Sequence, residues 1–122
     1  MFKANGKCYY HYEALLNYDV AISECKNRFG PSAILAEPMN QQELVDIDAS
    51  VQNKDWYLWI GVNDRETEGN FVYESSNLPA FTRWESGQPN AEDAFDCVLI
   101  HPDTGLMRAL PCNLEAHFLC QF

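Results

Sequence analysis

Hydrophobic positions recur with helical spacing early in the chain. Between residues 18 and 29 the apolar side chains fall on one helical face, which includes Cys25. Asn17 stands where an N-cap is needed, and Gly30 stands where a helix ends. The pattern therefore predicts a first helix over residues 18–29 with Cys25 turned towards the core.

A second helix is predicted to follow Asn40. Asn40 and Glu43 have the spacing of a capping box, in which two side chains satisfy free backbone amides at a helix start. Leu44, Ile47 and Val51 then recur on one side, so this face should be buried.

Short apolar and aromatic runs elsewhere predict strands, which cover residues 8–12, 33–36, 56–62, 70–74, 96–101, 106–110 and 117–122. Residues 75–95 are instead rich in Ser, Asn, Pro, Gly and acids, and a polar loop of this length is usually functional. Glu37, before Pro38, is interpreted as a turn residue. Two helices with strands around a long loop indicate an α+β fold.

Composition narrows the range of functions. With 122 residues the chain has the length of one domain, over residues 1–122. Its net charge of −10 argues against nucleic acid or an anionic membrane surface as a partner. It suits a cation such as calcium, or simply solubility. No apolar run is long enough to predict a membrane span.

Five cysteines in a short chain indicate an oxidising compartment, and hence a secreted, extracellular protein. No pair has CxxC spacing, which argues against a zinc site. The sequence also lacks GxSxG, HExxH and a glycine-rich phosphate loop, so we predict that the protein is not an enzyme.

Several motifs, taken in order, resemble those of a C-type lectin-like domain. They are Trp59-Ile60-Gly61-Val62-Asn63-Asp64, Thr67-Glu68-Gly69, Trp84 ahead of Gln88-Pro89-Asn90, Asp96-Cys97-Val98, and Cys112 with Cys120. The resemblance covers nearly the whole chain. It implies a C-type lectin-like fold with two helices, two small antiparallel sheets and a long polar loop. It also implies the disulfides Cys25–Cys120 and Cys97–Cys112.

Cys8 is left over by this pairing. Family members with a longer N-terminus pair a similar cysteine with one about ten residues upstream, which this chain does not contain. Cys8 is therefore free, or it bridges to a second chain in a homo- or heterodimer. Tyr9, Tyr10 and Tyr12 fit an edge strand that could serve as a dimer surface.

Sugar-binding members of the family hold one calcium ion at a primary site, and this chain departs from that site's pattern. The triad Gln88-Pro89-Asn90 is present, but Phe95 replaces the usual Glu, and Met107-Arg108-Ala109 replaces Trp-Asn-Asp. Loss of three ligands, one of them to a cation, implies that the primary calcium is absent. The candidate ligand-binding residues are Gln88, Asn90, Glu92, Asp93 and Arg108.

Two interpretations of Arg108 stay open. Its guanidinium could hold sugar hydroxyls, an acetamide carbonyl or a carboxylate, or it could simply pair with a nearby acid such as Asp93.

An auxiliary calcium site is implied by acids that match those of the family. These are Asp64, Glu68 and Asp96, with Glu92 or Asp93 as a further ligand from the loop. The alternative is that they are turn and capping residues on an acidic surface.

The resemblance implies a lectin that binds glycans or glycoproteins through the long-loop region, with a modified primary site that contains Arg108. The alternative function is a protein-binding module that has kept the fold and lost sugar affinity.

Overall fold

The computed structural model describes residues 2–4, 6–51, 55–89 and 94–122. It contains two helices and eight strands within these ranges. In chain order they are β1 (Phe2–Ala4), β2 (Lys7–Leu16), α1 (Tyr18–Phe29), β3 (Ile34–Leu35), α2 (Gln41–Ser50), β4 (Leu58–Asn63), β5 (Val72–Tyr73), β6 (Cys97–His101), β7 (Leu106–Leu110) and β8 (Ala116–Gln121). The predicted α+β class is confirmed.

Helix α1 begins and ends where the sequence predicts. The Asn17 side chain accepts a hydrogen bond from the backbone N–H of Val20 at 2.9 Å, which satisfies one of the free amides of the first turn. Gly30 ends the helix with a φ of 103°, a conformation that side chains other than glycine rarely adopt. Tyr18, Ala21 and Cys25 form the buried face.

The start of helix α2 differs from the predicted capping box in one bond. The Asn40 side chain accepts from the backbone N–H of Glu43 at 3.0 Å, as expected. The Glu43 side chain instead accepts from the backbone N–H of Met39, at 2.8 Å. The Glu43 carboxylate also pairs with Lys7 on β2, which draws it past the backbone N–H of Asn40. Leu44, Ile47 and Val51 are buried, as predicted.

The strands form one mixed sheet rather than the two small antiparallel sheets that the resemblance implies. Along the main path their order is β1-β2-β8-β4-β6-β7, while β3 pairs with β8 and β5 pairs with β4. Strands β4 and β8 pair in parallel, at Leu58 with His117 and at Trp59 with Phe118. This short pairing joins two antiparallel groups of strands, since β4 and β8 are apolar enough to lie side by side in the interior.

For Tyr9 the expectation of an edge strand is wrong, because β1 pairs with Lys7–Tyr9, while Tyr10 and Tyr12 lie beyond this pairing. Residues 2–4 turn back at Gly6 and pair with β2 on the side opposite β8. Tyr9 is 1% exposed, which removes it from any dimer surface. The sequence did not show this because three residues carry too little pattern to predict β1.

Hydrophobic clusters lie on both sides of the sheet. One includes Leu44 and Ile47 of α2, and the other includes Tyr18 and Cys25 of α1. Both implied disulfides are present: Cys25–Cys120 joins α1 to β8, and Cys97–Cys112 joins β6 to the segment that precedes β8. Cys8 is a partly buried free thiol.

Among the described residues, neither helix has the length and apolar character needed to cross a bilayer.

Candidate functional site

Three carboxylates meet beyond the end of strand β4. Asp64 follows the strand directly, Glu68 lies in the next turn, and Asp96 precedes β6. One oxygen atom from each lies within 4.8 Å of the others. The backbone N–H of Asp64 donates to the carbonyl of Asp96 at 2.9 Å, so the two chain segments are tied together at this point. We call these three residues the acidic cluster.

The hydrogen bonding of Asp64 fits a cation at the acidic cluster. Asp64 is 2% exposed, and its Oδ2 accepts from the backbone N–H of Gly69 at 2.8 Å. Its Oδ1 is buried and has no hydrogen-bond partner in the described part of the chain. A buried carboxylate oxygen without a partner is costly, and calcium coordination would satisfy it.

A network beside the acidic cluster fixes the backbone that carries Asp64. Arg65 donates two hydrogen bonds to the Asp19 carboxylate, at 3.0 and 2.9 Å, and so joins this turn to the first turn of α1. Asn63 accepts from the backbone N–H of Arg65 at 3.2 Å and donates to Glu74 at 2.8 Å. Asp64 is therefore held from both neighbouring positions.

Gln88, the first residue of the Gln-Pro-Asn triad, lies along the outer edge of strand β7. The Gln88–Pro89 peptide bond is cis, as in the family's triad. Gln88 Oε1 accepts a hydrogen bond from the backbone N–H of Ala109 at 3.0 Å. The other predicted residues of this loop, Asn90, Glu92 and Asp93, lie outside the described residues.

Arg108 pairs with an acid that the sequence analysis did not single out. Its Nε donates to Glu85 Oε1 at 2.7 Å, while Tyr57 Oη donates to Glu85 Oε2, also at 2.7 Å. The guanidinium carbon lies 4.9 Å from the centre of the Tyr57 ring, within the range of a cation–π contact. His101 packs edge-on against the same ring at 4.9 Å. We call Tyr57, Glu85, His101 and Arg108 the arginine cluster.

The electrostatics of the arginine cluster favour an ionised pair. Partial burial acts to raise the pKa of Glu85, but the hydrogen bonds from Tyr57 and Arg108 and the nearby positive charge outweigh it, so this pKa lies below its ordinary value. The hydrogen bond to Glu85 raises the pKa of Arg108. Burial, and then the bond to Glu85, raises the pKa of Tyr57, which stays protonated.

The loop brings Gln88 to strand β7, where its side chain bonds the backbone of Ala109, the residue after Arg108. The backbone N–H of Glu85 donates to Met107 O, and that of Met107 donates to Arg83 O, so the loop runs alongside β7. Within the described ranges no hydrogen bond or ion pair joins the Gln88 and Arg108 side chains. The acidic cluster, by contrast, brings all three predicted metal ligands together.

Comparison with known proteins identifies the family. The Lectin C-type domain profile matches residues 14–122. The chain belongs to the C-type lectin domain family. This C-type lectin domain is similar to Lectin BRA-3 of Megabalanus rosa, with 33% identity over 119 residues, 96% of this chain and 72% of that protein. It also resembles Collectin-11 of Bos taurus, with 45% identity over 67 residues, 53% of this chain but only 25% of that protein.

Solved structures show the same fold. A Ca²⁺-dependent type II antifreeze protein in its Ca²⁺-free form superposes with a TM-score of 0.87 over 98% of this chain and 94% of that one, at 17% identity. At this identity the likeness concerns the fold alone. Because C-type lectin domains are a non-enzymatic family, the prediction that the protein is not an enzyme is confirmed.

Proposed function

We propose that this C-type lectin domain binds glycans or glycoproteins at the surface formed by the arginine cluster and by Gln88. One observation carries the proposal: the Arg108 side chain is 41% exposed, and its contacts with Glu85 and Tyr57 hold it in one position. A donor group fixed before the ligand arrives loses little conformational freedom on binding. The likeness to Lectin BRA-3 supports the same function.

In this proposal, sugar binding at the primary site does not require calcium. Gln88 Oε1 is engaged by the backbone of Ala109, and a guanidinium stands at the position of a family ligand. A cation beside Arg108 would be repelled at short range. Sugar hydroxyls would instead contact the protein side chains directly.

We propose a separate calcium ion, with a structural role, at Asp64, Glu68 and Asp96. The ion would neutralise three clustered carboxylates and satisfy Asp64 Oδ1. These residues connect the turn after β4 to the start of β6, so the bound ion would stiffen the base of the long loop. Glu92 or Asp93 remains our candidate for a further ligand.

The proposed location is extracellular. Two disulfides within a chain of this length favour an oxidising compartment. A dimer through the Cys8 thiol would raise the avidity of a weak single site.

A glycan array, probed with and without chelator, tests this function. The wild-type protein should bind a subset of glycans, and chelation should weaken this binding without abolishing it. Arg108→Gln should lose binding in both conditions. Arg28→Gln carries the same charge change on α1, where Arg28 packs over Tyr10, and it should bind like wild type.

The array also separates the two functions. An array that is blank for correctly folded wild-type protein in both buffers would refute glycan binding and favour the protein-binding alternative. If chelator abolishes wild-type binding, and Arg108→Gln still binds in calcium, the glycan binds to a calcium ion instead.

A further inference from the structure

The arginine cluster presents almost no net charge to a ligand. Glu85 Oε1 lies 2.7 Å from Arg108 Nε, and the lowered pKa of Glu85 keeps its carboxylate ionised at neutral pH. The two side chains therefore carry opposite unit charges in direct contact. A second anion would gain little from Arg108, because Glu85 already compensates its charge.

The pair still offers both donors and acceptors. Within the described part of the chain, the Nη atoms of Arg108 have no hydrogen-bond partner, since only Nε is engaged. Each carboxylate oxygen of Glu85 accepts one hydrogen bond, from Arg108 or from Tyr57, and has capacity for another. Side-chain exposures of 41% for Arg108 and 18% for Glu85 leave both accessible at the surface.

Two neighbouring hydroxyl groups match this arrangement. One hydroxyl oxygen can accept from an Nη–H of Arg108, while the adjacent hydroxyl donates its proton to Glu85. The partly buried Tyr57 and His101 rings lie beside the pair and add ring carbon atoms that the C–H groups of a sugar could contact. A carboxylate would instead face Glu85 and a protein whose net charge is −10.

We infer that the arginine cluster selects neutral sugars with adjacent hydroxyl groups over acidic sugars, and that Glu85 is the residue that determines this selectivity. The inference rests on the proposed glycan binding and adds the ligand class. Of the groups that the Arg108 guanidinium could hold, namely sugar hydroxyls, an acetamide carbonyl or a carboxylate, this arrangement favours the hydroxyls.

The test uses pairs of sugars that differ in one group. Multivalent displays of methyl glucoside and methyl glucuronide have the same ring, with a hydroxymethyl group or a carboxylate at C6. The corresponding pairs of methyl galactoside with methyl galacturonide, and of methyl mannoside with methyl mannuronide, complete the set. Binding of each pair is measured for the wild type, Glu85→Gln and Glu115→Gln, which removes the same charge at an exposed position before β8.

The wild type should prefer the neutral member of each pair that binds, by roughly tenfold, a value that allows for the partial exposure of the ion pair. Glu85→Gln should lower this preference about tenfold, since Arg108 then attracts the carboxylate. Glu115→Gln should keep the wild-type ratio. Glu85→Asp, which retains the charge, should also prefer neutral sugars and provides a second variant if Glu85→Gln fails to fold.

Three outcomes have separate meanings. A wild type that prefers the uronides overturns the selectivity without any variant and leaves glycan binding intact. A Glu85→Gln ratio equal to that of Glu115→Gln overturns the role of Glu85 alone. If folded wild type binds no member of any pair and no array glycan, the proposed function fails and the selectivity fails with it.

Discussion

Gly61 lies directly against Glu37. A Cβ atom at Gly61 would stand 2.8 Å from Glu37 Cγ and 2.8 Å from the carbonyl oxygen of Leu35. The backbone N–H of Gly61 donates to Ala36 O at 2.8 Å, so strand β4 and the segment after β3 are in close contact here. No other residue type fits this position without movement of the backbone.

Gly61→Ala should therefore destabilise the fold by about 1–3 kcal/mol, which is typical of overpacking in a core. The free energy of urea unfolding measures the effect. Gly61→Val should cost more, because the larger side chain meets the same two groups. Equal stability of Gly61→Ala and wild type would contradict the close approach.

Glu37 predicts a specific dependence of stability on pH. Burial raises its pKa, although hydrogen bonds from the N–H and hydroxyl of Ser75, at 2.9 and 2.8 Å, act in the opposite direction. The folded state therefore holds this proton more tightly than the unfolded state. Its contribution to stability is complete at pH values below the unfolded pKa and is lost as pH rises through the folded pKa.

Relative to Glu37→Gln, the wild type should become less stable as pH rises from about 4.5 towards neutrality, starting near the ordinary pKa of a glutamate. Unfolding free energies of both proteins across this range give the difference. The same comparison with Glu115→Gln, at an exposed site, should show no such trend. A difference with the opposite slope would show that the pKa is lowered.

Calcium should raise the thermal stability of the protein. At a concentration one hundred times the dissociation constant, binding to the folded state contributes about 2.7 kcal/mol, on the order of 10 °C in Tm. Asp64→Asn should remove most of this shift, since it alters the acidic cluster. Glu66→Gln, in the same turn but outside the cluster, should retain it.

Calorimetry with calcium and with chelator measures both values. A full calcium shift in Asp64→Asn would place the ion elsewhere, and no shift in the wild type would leave the acidic cluster as a group of turn residues.

The two disulfides should contribute unequally. Their sequence separations are 95 residues for Cys25–Cys120 and 15 for Cys97–Cys112. Loop-closure entropy then predicts losses of about 4.7 and 3 kcal/mol when each pair is replaced by alanine. A Cys8→Ser background prevents thiol exchange during the measurement. The reverse order would show that packing around the bridges matters more than loop length.

Local signals predicted both limits of α1 and the start of α2 to the residue, whereas Val51, expected on the buried face of α2, lies just past its end. Asn17, Gly30 and Asn40 act within one turn of their own position, so the sequence alone contains the information. Strand limits were less accurate: residues 70–74 shorten to Val72–Tyr73, because only these two pair with β4. The parallel pairing of β4 with β8 depends on residues almost sixty positions apart and has no local pattern.

In the candidate site, too, the sequence predicted the residues with local motifs and missed those that depend on the path of the chain. Motif order was enough to bring Asp64, Glu68 and Asp96 together, because each lies at the end of a strand or in the turn beside it. Glu85 was missed, since its role depends on how the loop runs along β7, shown by the bridge between Trp84 and Met107. Glu37, interpreted as a turn residue, proved to be a buried acceptor for Ser75.

The Cys25–Cys120 bridge also determines how the domain would respond to mechanical tension. Cys8 and Phe122 exchange backbone hydrogen bonds at 2.7 and 2.9 Å, so a pull on both ends would open the β2–β8 ladder one bond at a time. Opening would stop when the load reaches the two bridged cysteines and passes from one to the other through sulfur. The stretch from residue 26 to residue 119, which carries the acidic and arginine clusters, would then lie outside the line of force.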